Sequence, residues 1–277
     1  MKRLTLCLVL AVMLLAGCKS EPREFTTHTL SDIQSYLLIF DEALFDNVDT
    51  IGLTFDYSVE WPDNGVMSPA AMRELQYLCF GDSTAATVED AAQRWFASVD
   101  YLDDDDAMCK KEVDSIDNTL QFYSYCNLES SCWQDSSLAV FTVKTESYYF
   151  GAAHGMYSAD FLTVDKETGN AVHLADLVTD TNLLCEAIAH AVQDLDVNKD
   201  TRECLFDEFI DVERMPLPRN FTIDSARNSI IVYYGLYEIT CYACGIQEVT
   251  LPIFWLSKHV PLTPYAKRLF GPDSYIQ

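Results

Sequence analysis

The run Asp194-Leu195-Asp196-Val197-Asn198-Lys199-Asp200 places side-chain oxygens at alternate positions, as the opening of a calcium loop does. The turn position that needs glycine holds Lys199, and Leu205 stands where the closing bidentate acid belongs. A start two residues later reaches Asp207 but puts Thr201 at the turn, so the run reads as a polar helix end and loop. Asp103 to Asp106 reads as an exposed acidic loop without a cage. Cys241-Tyr242-Ala243-Cys244 has the spacing of a redox pair or half a zinc site, yet no second Cys or His pair of suitable spacing stands nearby to complete four ligands. His28, His154, His173, His190 and His259 form neither an HExxH nor a two-histidine helix pair, and the chain has no GxSxG elbow and no Walker loop. No metal and no cofactor are expected, and the chain reads as non-catalytic. An envelope hydrolase would have only scattered carboxylates and one histidine to work with.

That histidine is His154, in Tyr148-Tyr149-Phe150-Gly151-Ala152-Ala153-His154-Gly155. A strand runs there into a turn of small residues, where glycine permits close backbone approach. Two roles stay open for the ring: tying the turn down by hydrogen bonds, or meeting a ligand or partner.

Charge narrows the partners. Among 277 residues, 18 Lys+Arg against 43 Asp+Glu give a formal net charge of -25, with 49% apolar residues. This composition excludes a disordered tail and a collagen-like chain. It also excludes a nucleic-acid binder, which needs a basic surface to neutralise phosphates. The acid is uneven: residues 18 to 146 carry net -18 and residues 148 to 277 net -9. No Lys or Arg occurs between Arg23 and Arg73. Such a face either keeps the protein soluble or steers a cationic partner.

The first residues give an address. Lys2 and Arg3, an apolar run from Leu4 to Leu15 and the small pair Ala16-Gly17 precede Cys18, the order of a lipoprotein signal peptide over 1–17. Leu15-Ala16-Gly17-Cys18 is a lipobox, with Cys18 as the site of lipid attachment. The apolar run is shorter than the roughly 20 residues of a spanning helix, whereas two or three acyl chains hold a protein firmly on a membrane surface. Lys19 in place of Asp removes the inner-membrane retention signal. The expected location is the cell envelope, lipid-anchored, on the outer membrane of a Gram-negative bacterium. Loss of Lys2 and Arg3 with the leader takes the charge from -25 to -27. Eight cysteines then remain besides Cys18: Cys79, Cys109, Cys126, Cys132, Cys185, Cys204, Cys241 and Cys244. An even count in an exported chain predicts disulfides. Proximity favours 126–132 and 185–204, then 79–109.

The elements that must position these residues follow from pattern. Residues 18–30 read as a polar tether. Ile51 to Trp61 alternates as a half-buried strand, Ser68-Pro69 caps and opens a helix, and Thr87 to Leu102 has helical spacing. Strands are predicted at Gln121–Leu128, Leu138–Tyr149, Asp160–Val164, Phe221–Ile223, Ser229–Tyr234 and Glu248–Phe254, with a helix from about Asp176 to Leu195. Together these predict an α+β fold, mainly antiparallel sheet with helices packed on one face, disulfide-stabilised. The expected organisation is an N-terminal α+β module over 31–118, a C-terminal domain over 119–262 and a tail over 263–277.

The segment Tyr149 to Gly155, then a strand, Lys166-Glu167-Thr168-Gly169 and Leu174-Ala175-Asp176-Leu177, resembles the domain shared by the extracytoplasmic part of the anti-sigma factor RsiV and the front part of PdaC-type peptidoglycan deacetylases. Asn220-Phe221-Thr222-Ile223, Ile230 to Tyr234, Tyr237-Glu238-Ile239, Tyr242-Ala243-Cys244-Gly245 and Val249 to Pro252 resemble that domain's closing motif. Ala152 replaces a second glycine, and Cys244 breaks the usual Tyr-Ala-x-Gly spacing. The resemblance covers roughly residues 120 to 260. It implies an envelope α+β domain and, through RsiV, binding of lysozyme; it does not imply catalysis. Cleavage before Cys18 is expected to leave no cytoplasmic segment, and nothing after residue 262 reads as a deacetylase domain. Tyr149, Gly151, His154, Gly155, Tyr237, Glu238, Tyr242 and Gly245 are the candidate binding residues. The expected function is a non-catalytic envelope lipoprotein that binds lysozyme or another basic protein. The alternative is a peptidoglycan- or glycan-binding accessory protein, with Tyr148, Tyr149, Tyr233, Tyr234 and Tyr237 as stacking rings.

Overall fold

A computed structural model describes residues 24–40, 49–63, 65–97, 109–116, 120, 122–194 and 215–271. Cys18, the signal peptide, Asp103–Asp106, Cys204 and most of the acidic run 194–207 lie outside these residues, as does the side chain of Cys109. Among the described residues, nine strands and six α-helices make a mixed α+β fold. The strands are β1 (Thr27–Ile39), β2 (Thr50–Pro62), β3 (Cys109–Val113), β4 (Tyr123–Gln134), β5 (Leu138–Tyr148), β6 (Met156–Asp165), β7 (Asn220–Ile223), β8 (Ser229–Tyr234) and β9 (Gln247–Pro252). The helices are α1 (Pro69–Phe80), α2 (Val88–Ala97), α3 (Leu174–Leu177), α4 (Thr181–Asp194), α5 (Ile253–His259) and α6 (Pro264–Phe270). None of them is long and apolar enough to cross a membrane.

The strands form a six-stranded sheet in the order β3-β1-β2-β4-β5-β6 and a three-stranded sheet β7-β8-β9. All neighbours are antiparallel except β2 and β4. Alternation in β2 places Leu53, Phe55, Tyr57, Val59 and Trp61 on one buried face. There they meet Leu75, Phe80, Ala91 and Phe96 of α1 and α2. Tyr57, Phe80, Trp95 and Phe96 form an aromatic cluster, with Tyr57 and Trp95 each edge-on to Phe80 and to one another. The three-stranded sheet has its own core with α4, α5 and α6, built on Leu184, Ile188, Ile230, Val232, Leu251 and Leu256. The expected boundary at 118/119 falls between β3 and β4 of the six-stranded sheet, and apart from Leu138 of β5 the smaller sheet's core draws on residues from Val172 onward.

Several elements depart from the sequence reading. The segment read as a tether holds Phe25, buried against Phe141, and passes into β1 at Thr27. The tail at 263–277 holds α6, where the Thr263 hydroxyl accepts from the Ala266 N–H and Ala266, Leu269 and Phe270 are buried. The helix expected from Asp176 divides because the Asp180 carboxylate accepts from the Asn182 and Leu183 N–H groups and starts α4 afresh. The strand expected to reach Phe254 stops at Pro252, and α5 takes Ile253 and Phe254.

Of the expected disulfides, 126–132 is corrected, while 185–204 and 79–109 each include a cysteine whose side chain lies outside the described residues. No two of Cys79, Cys126, Cys132, Cys185, Cys241 and Cys244 are at S–S bonding distance from each other. Cys126 and Cys132 share β4 six residues apart, which separates them by roughly 20 Å at about 3.3 Å per residue. The Cys241 and Cys244 sulfurs are 3.5 Å apart. Cys79, Cys126 and Cys132 line the larger core, and burial pushes their thiols up to about 12, 11 and 12.

Candidate functional site

Two hairpins position the motif residues. β5 and β6 run to the turn Tyr149–Gly155 at one end, and β8 runs from the turn at Asp224–Asn228 to the segment Gly235–Ile246. The hairpins are fastened along their length. At one end Arg227 donates to the Asp135 carboxylate through two nitrogens and to the Leu269 carbonyl. In the middle, the Asn220 amide donates to the Ala159 carbonyl and its oxygen accepts from the Phe161 N–H at 3.0 Å, occupying open polar groups of the edge strand β6. Beside it Phe161 stacks on Tyr233 at 4.4 Å.

The far end joins the two sequence motifs. His154 reaches Tyr237 across 83 residues, with Nε2 3.0 Å from the phenol oxygen, and its Nδ1 lies 3.1 Å from the Gly155 carbonyl. A carbonyl only accepts, so Nδ1 carries the proton and Nε2 accepts from the Tyr237 hydroxyl in the neutral ring. Tyr242 stacks on the imidazole at 3.5 Å and 17°, and Tyr157 meets Tyr242 edge-on at 6.3 Å. Tyr237 is 56% exposed and holds a left-handed backbone, φ 62°, which is costly away from glycine.

Glycine has a local reason at two places. A side chain at Gly155 would put its Cβ 2.9 Å from the Ser147 carbonyl oxygen, so the turn closes on β5 only without one. Gly245 has φ 70° and lies under the Tyr157 hydroxyl, where a Cβ would come within 3.2 Å. Gly151 also turns at positive φ, and the Tyr149 carbonyl accepts from the Ala152 N–H. Tyr149 is half-buried, with its phenol pushed up by burial. Glu238 is exposed and accepts from the Gly235 N–H at 2.7 Å, holding the loop that presents Tyr237.

Of the candidate residues, His154, Tyr237, Tyr242 and Gly245 therefore meet in one tip, with Gly155 beneath His154 and Glu238 beside Tyr237. Tyr157 completes the tip and was missed, since its only signal is an exposed aromatic at the second residue of β6. Two of the proposed stacking rings are placed elsewhere. Tyr234 is fully buried and donates to the Pro216 carbonyl at 2.9 Å, and Tyr233 is taken by Phe161. Tyr148 instead joins Tyr123 and Tyr125 in a row on the open face of the larger sheet, with centroids 6.2 and 6.3 Å apart.

Next to the tip, a cleft of about 570 Å³ opens between β6, the Pro216–Asn220 segment and the Gly235–Ile246 loop. Asp160 and Glu238 line it together with Arg219 and Tyr233. Burial pushes the Asp160 carboxyl up, against the opposing effect of the hydrogen bond from Ser158. Among the described residues no cluster of three or more His, Cys, Asp or Glu is arranged to hold a metal.

Residues 175–253, which include Tyr237, Glu238, Tyr242 and Gly245, match the family described as "Protein of unknown function (DUF3298)". No curated protein matches the chain. A DUF3298 family member from Bacteroides fragilis NCTC 9343 is similar in structure, with TM-score 0.55 and 18% identity over 88% of this chain and 95% of its own. A DUF3298 family protein from Pseudomonas aeruginosa PAO1 is similar with TM-score 0.51 and 14% identity over 88% of this chain and 97% of its own. At these identities the likeness is one of fold. Residues 175–253 are thus similar to the DUF3298 family model, and the chain shares the fold seen in two DUF3298 proteins.

Proposed function

We propose that this protein is a non-catalytic envelope lipoprotein, anchored through Cys18, whose tip of His154, Tyr157, Tyr237 and Tyr242 docks a basic protein of the lysozyme type. The observation that carries the reading is the convergence of two motifs 83 residues apart into an exposed aromatic tip on a chain of net charge -25. Tyrosines of this kind, rigid and amphipathic, are common anchors of protein interfaces. Both nitrogens of His154 are engaged in holding the tip together, which suits a positioning role. The resemblance to the RsiV extracytoplasmic domain supports lysozyme as the first partner to try, and the acidic body favours long-range attraction of a basic one.

Calorimetric titration with lysozyme at low and physiological salt tests the reading. Binding that tightens at low salt is expected, with Tyr237→Ala or Tyr242→Ala weakening it by about 2 kcal/mol, roughly thirtyfold. No heat at either salt rejects lysozyme as the partner. Mass spectrometry of the protein recovered from membranes checks the anchor: a diacylglycerol-modified Cys18 as the first residue is expected, and an unmodified leader would remove it.

A second reading, a glycan-binding accessory protein, has one observation in its favour. The row Tyr123, Tyr125 and Tyr148 offers ring faces on an open sheet surface. Retention on isolated sacculi, lost in Tyr125→Ala, supports it; protein left in the supernatant counts against it.

A further inference from the structure

We propose that the cleft beside the tip receives a basic side chain, a guanidinium or primary ammonium on an alkyl stem, projecting from the partner docked on the tip. The inference rests on the docking reading given above and names what the partner must offer. The tip and the cleft share a rim: Tyr157 and Ser158 are consecutive in β6, Tyr237 and Glu238 are consecutive in the loop, and the first of each pair belongs to the tip and the second to the cleft. Side chains alternate along β6, but the Gly235–Ile246 loop carries both Tyr237 of the tip and Glu238 and Ile246 of the cleft, so a partner seated on the tip reaches the cleft mouth along this loop.

The lining sets the chemistry of what enters. Asp160 is only partly solvated, its one hydrogen bond among the described residues comes from the Ser158 hydroxyl, and no described cation is within ion-pair distance of it or of Glu238. A carboxylate withdrawn from water without a counterion lowers stability, and such a group is retained where a ligand supplies the opposite charge. Leu217, 46% exposed, and Ile246 give the cleft an apolar wall for an alkyl stem, leaving the charged head to reach the carboxylates. Arg219 shares the lining and would favour an anion instead, but at net charge -25 the molecule repels anions and concentrates cations.

NMR titration of the full chain separates these occupants with three small probes: Nα-acetyl-arginine methylamide, its citrulline counterpart and its glutamate counterpart. Shifts of Asp160, Tyr233 and Glu238 with the arginine probe alone are expected, and Asp160→Asn should weaken that binding about tenfold, the scale of one charge-assisted hydrogen bond. Equal shifts with citrulline, which has the same shape and no charge, would overturn the proposal. So would shifts with the glutamate probe only, which would make this an anion site on Arg219. Lysozyme affinity unchanged by Asp160→Asn would also overturn it. The wild-type comparison of arginine with citrulline needs no variant to fold. Arginine-probe binding beside a silent lysozyme titration keeps the cleft assignment and removes only lysozyme as the partner.

Discussion

Replacing Arg227 by methionine removes the clamp at the end of the hairpins opposite the tip while keeping the length of the side chain and the left-handed backbone, φ 56°, that Arg227 already adopts. The guanidinium and the Asp135 carboxylate are 20% and 27% exposed, and two nitrogens meet two oxygens. Exposed ion pairs contribute about 0–1 kcal/mol, and breaking a buried one costs about 3–5 kcal/mol. A bidentate pair exposed to this degree falls between, at about 2 kcal/mol, since Asp135 keeps its hydrogen bonds from the Ser137 and Leu138 N–H groups. For a chain of this size that lowers Tm by about 3–4 °C. The pH dependence follows from Asp135. Burial pushes its carboxyl up, but the hydrogen bonds from Arg227, Ser137 and Leu138 and the Arg227 charge outweigh this and leave it below the ordinary value. A lowered carboxyl contributes stability that is present above the unfolded value of about 3.9 and lost as pH falls through the folded one. The deficit of Arg227→Met should therefore be full at pH 7 and narrow below about pH 4. Thermal and urea unfolding followed by tryptophan fluorescence reads both. A Tm loss under about 1 °C at pH 7, or an equal deficit on both sides of pH 4, would refute the reasoning.

Asn220→Ala should cost about 2 kcal/mol in urea unfolding, because it strips partners from the Phe161 N–H and the Ala159 carbonyl of β6; wild-type stability would show that water replaces the amide without loss. Gly155→Ala should cost about 1–3 kcal/mol, since its Cβ meets a backbone oxygen at 2.9 Å rather than a movable side chain. An unchanged unfolding midpoint contradicts that close approach. Asp160→Asn should raise Tm at pH 7 and make no difference below the ordinary carboxylate range: a folded-state carboxyl raised by burial contributes stability that is present at low pH and lost as pH rises. A lower Tm at pH 7 would mean that Asp160 is a structural hydrogen-bond acceptor.

The sequence alone determined what local pattern and covalent chemistry control. Alternation made β2 legible and an apolar β-branched run made β8 so, Ser68-Pro69 opened α1 where expected, and the two motifs marked His154, Tyr237 and Tyr242 of the tip but not Tyr157. It failed where polar residues sit inside elements. Glu129-Ser130-Ser131 hides the second half of β4, which is held by its pairing with β5 and by the Ser130 hydroxyl accepting from the Glu60 N–H. It failed again where capping divides a helix, at Asp180.

Cysteine spacing favoured a 126–132 pair because it counts residues without distance, and an extended strand keeps Cys126 and Cys132 apart. Only the tertiary structure decided which tyrosines face water, since Tyr233 and Tyr234 read alike beside Tyr237 until packing placed Tyr234 in the core and Tyr237 on the surface. Only it brought His154 to Tyr242, and opened the cleft at Asp160. Contacts across 83 residues depend on how two hairpins fasten to each other, through Asn220, Phe161 and Arg227, and no local pattern encodes that distance.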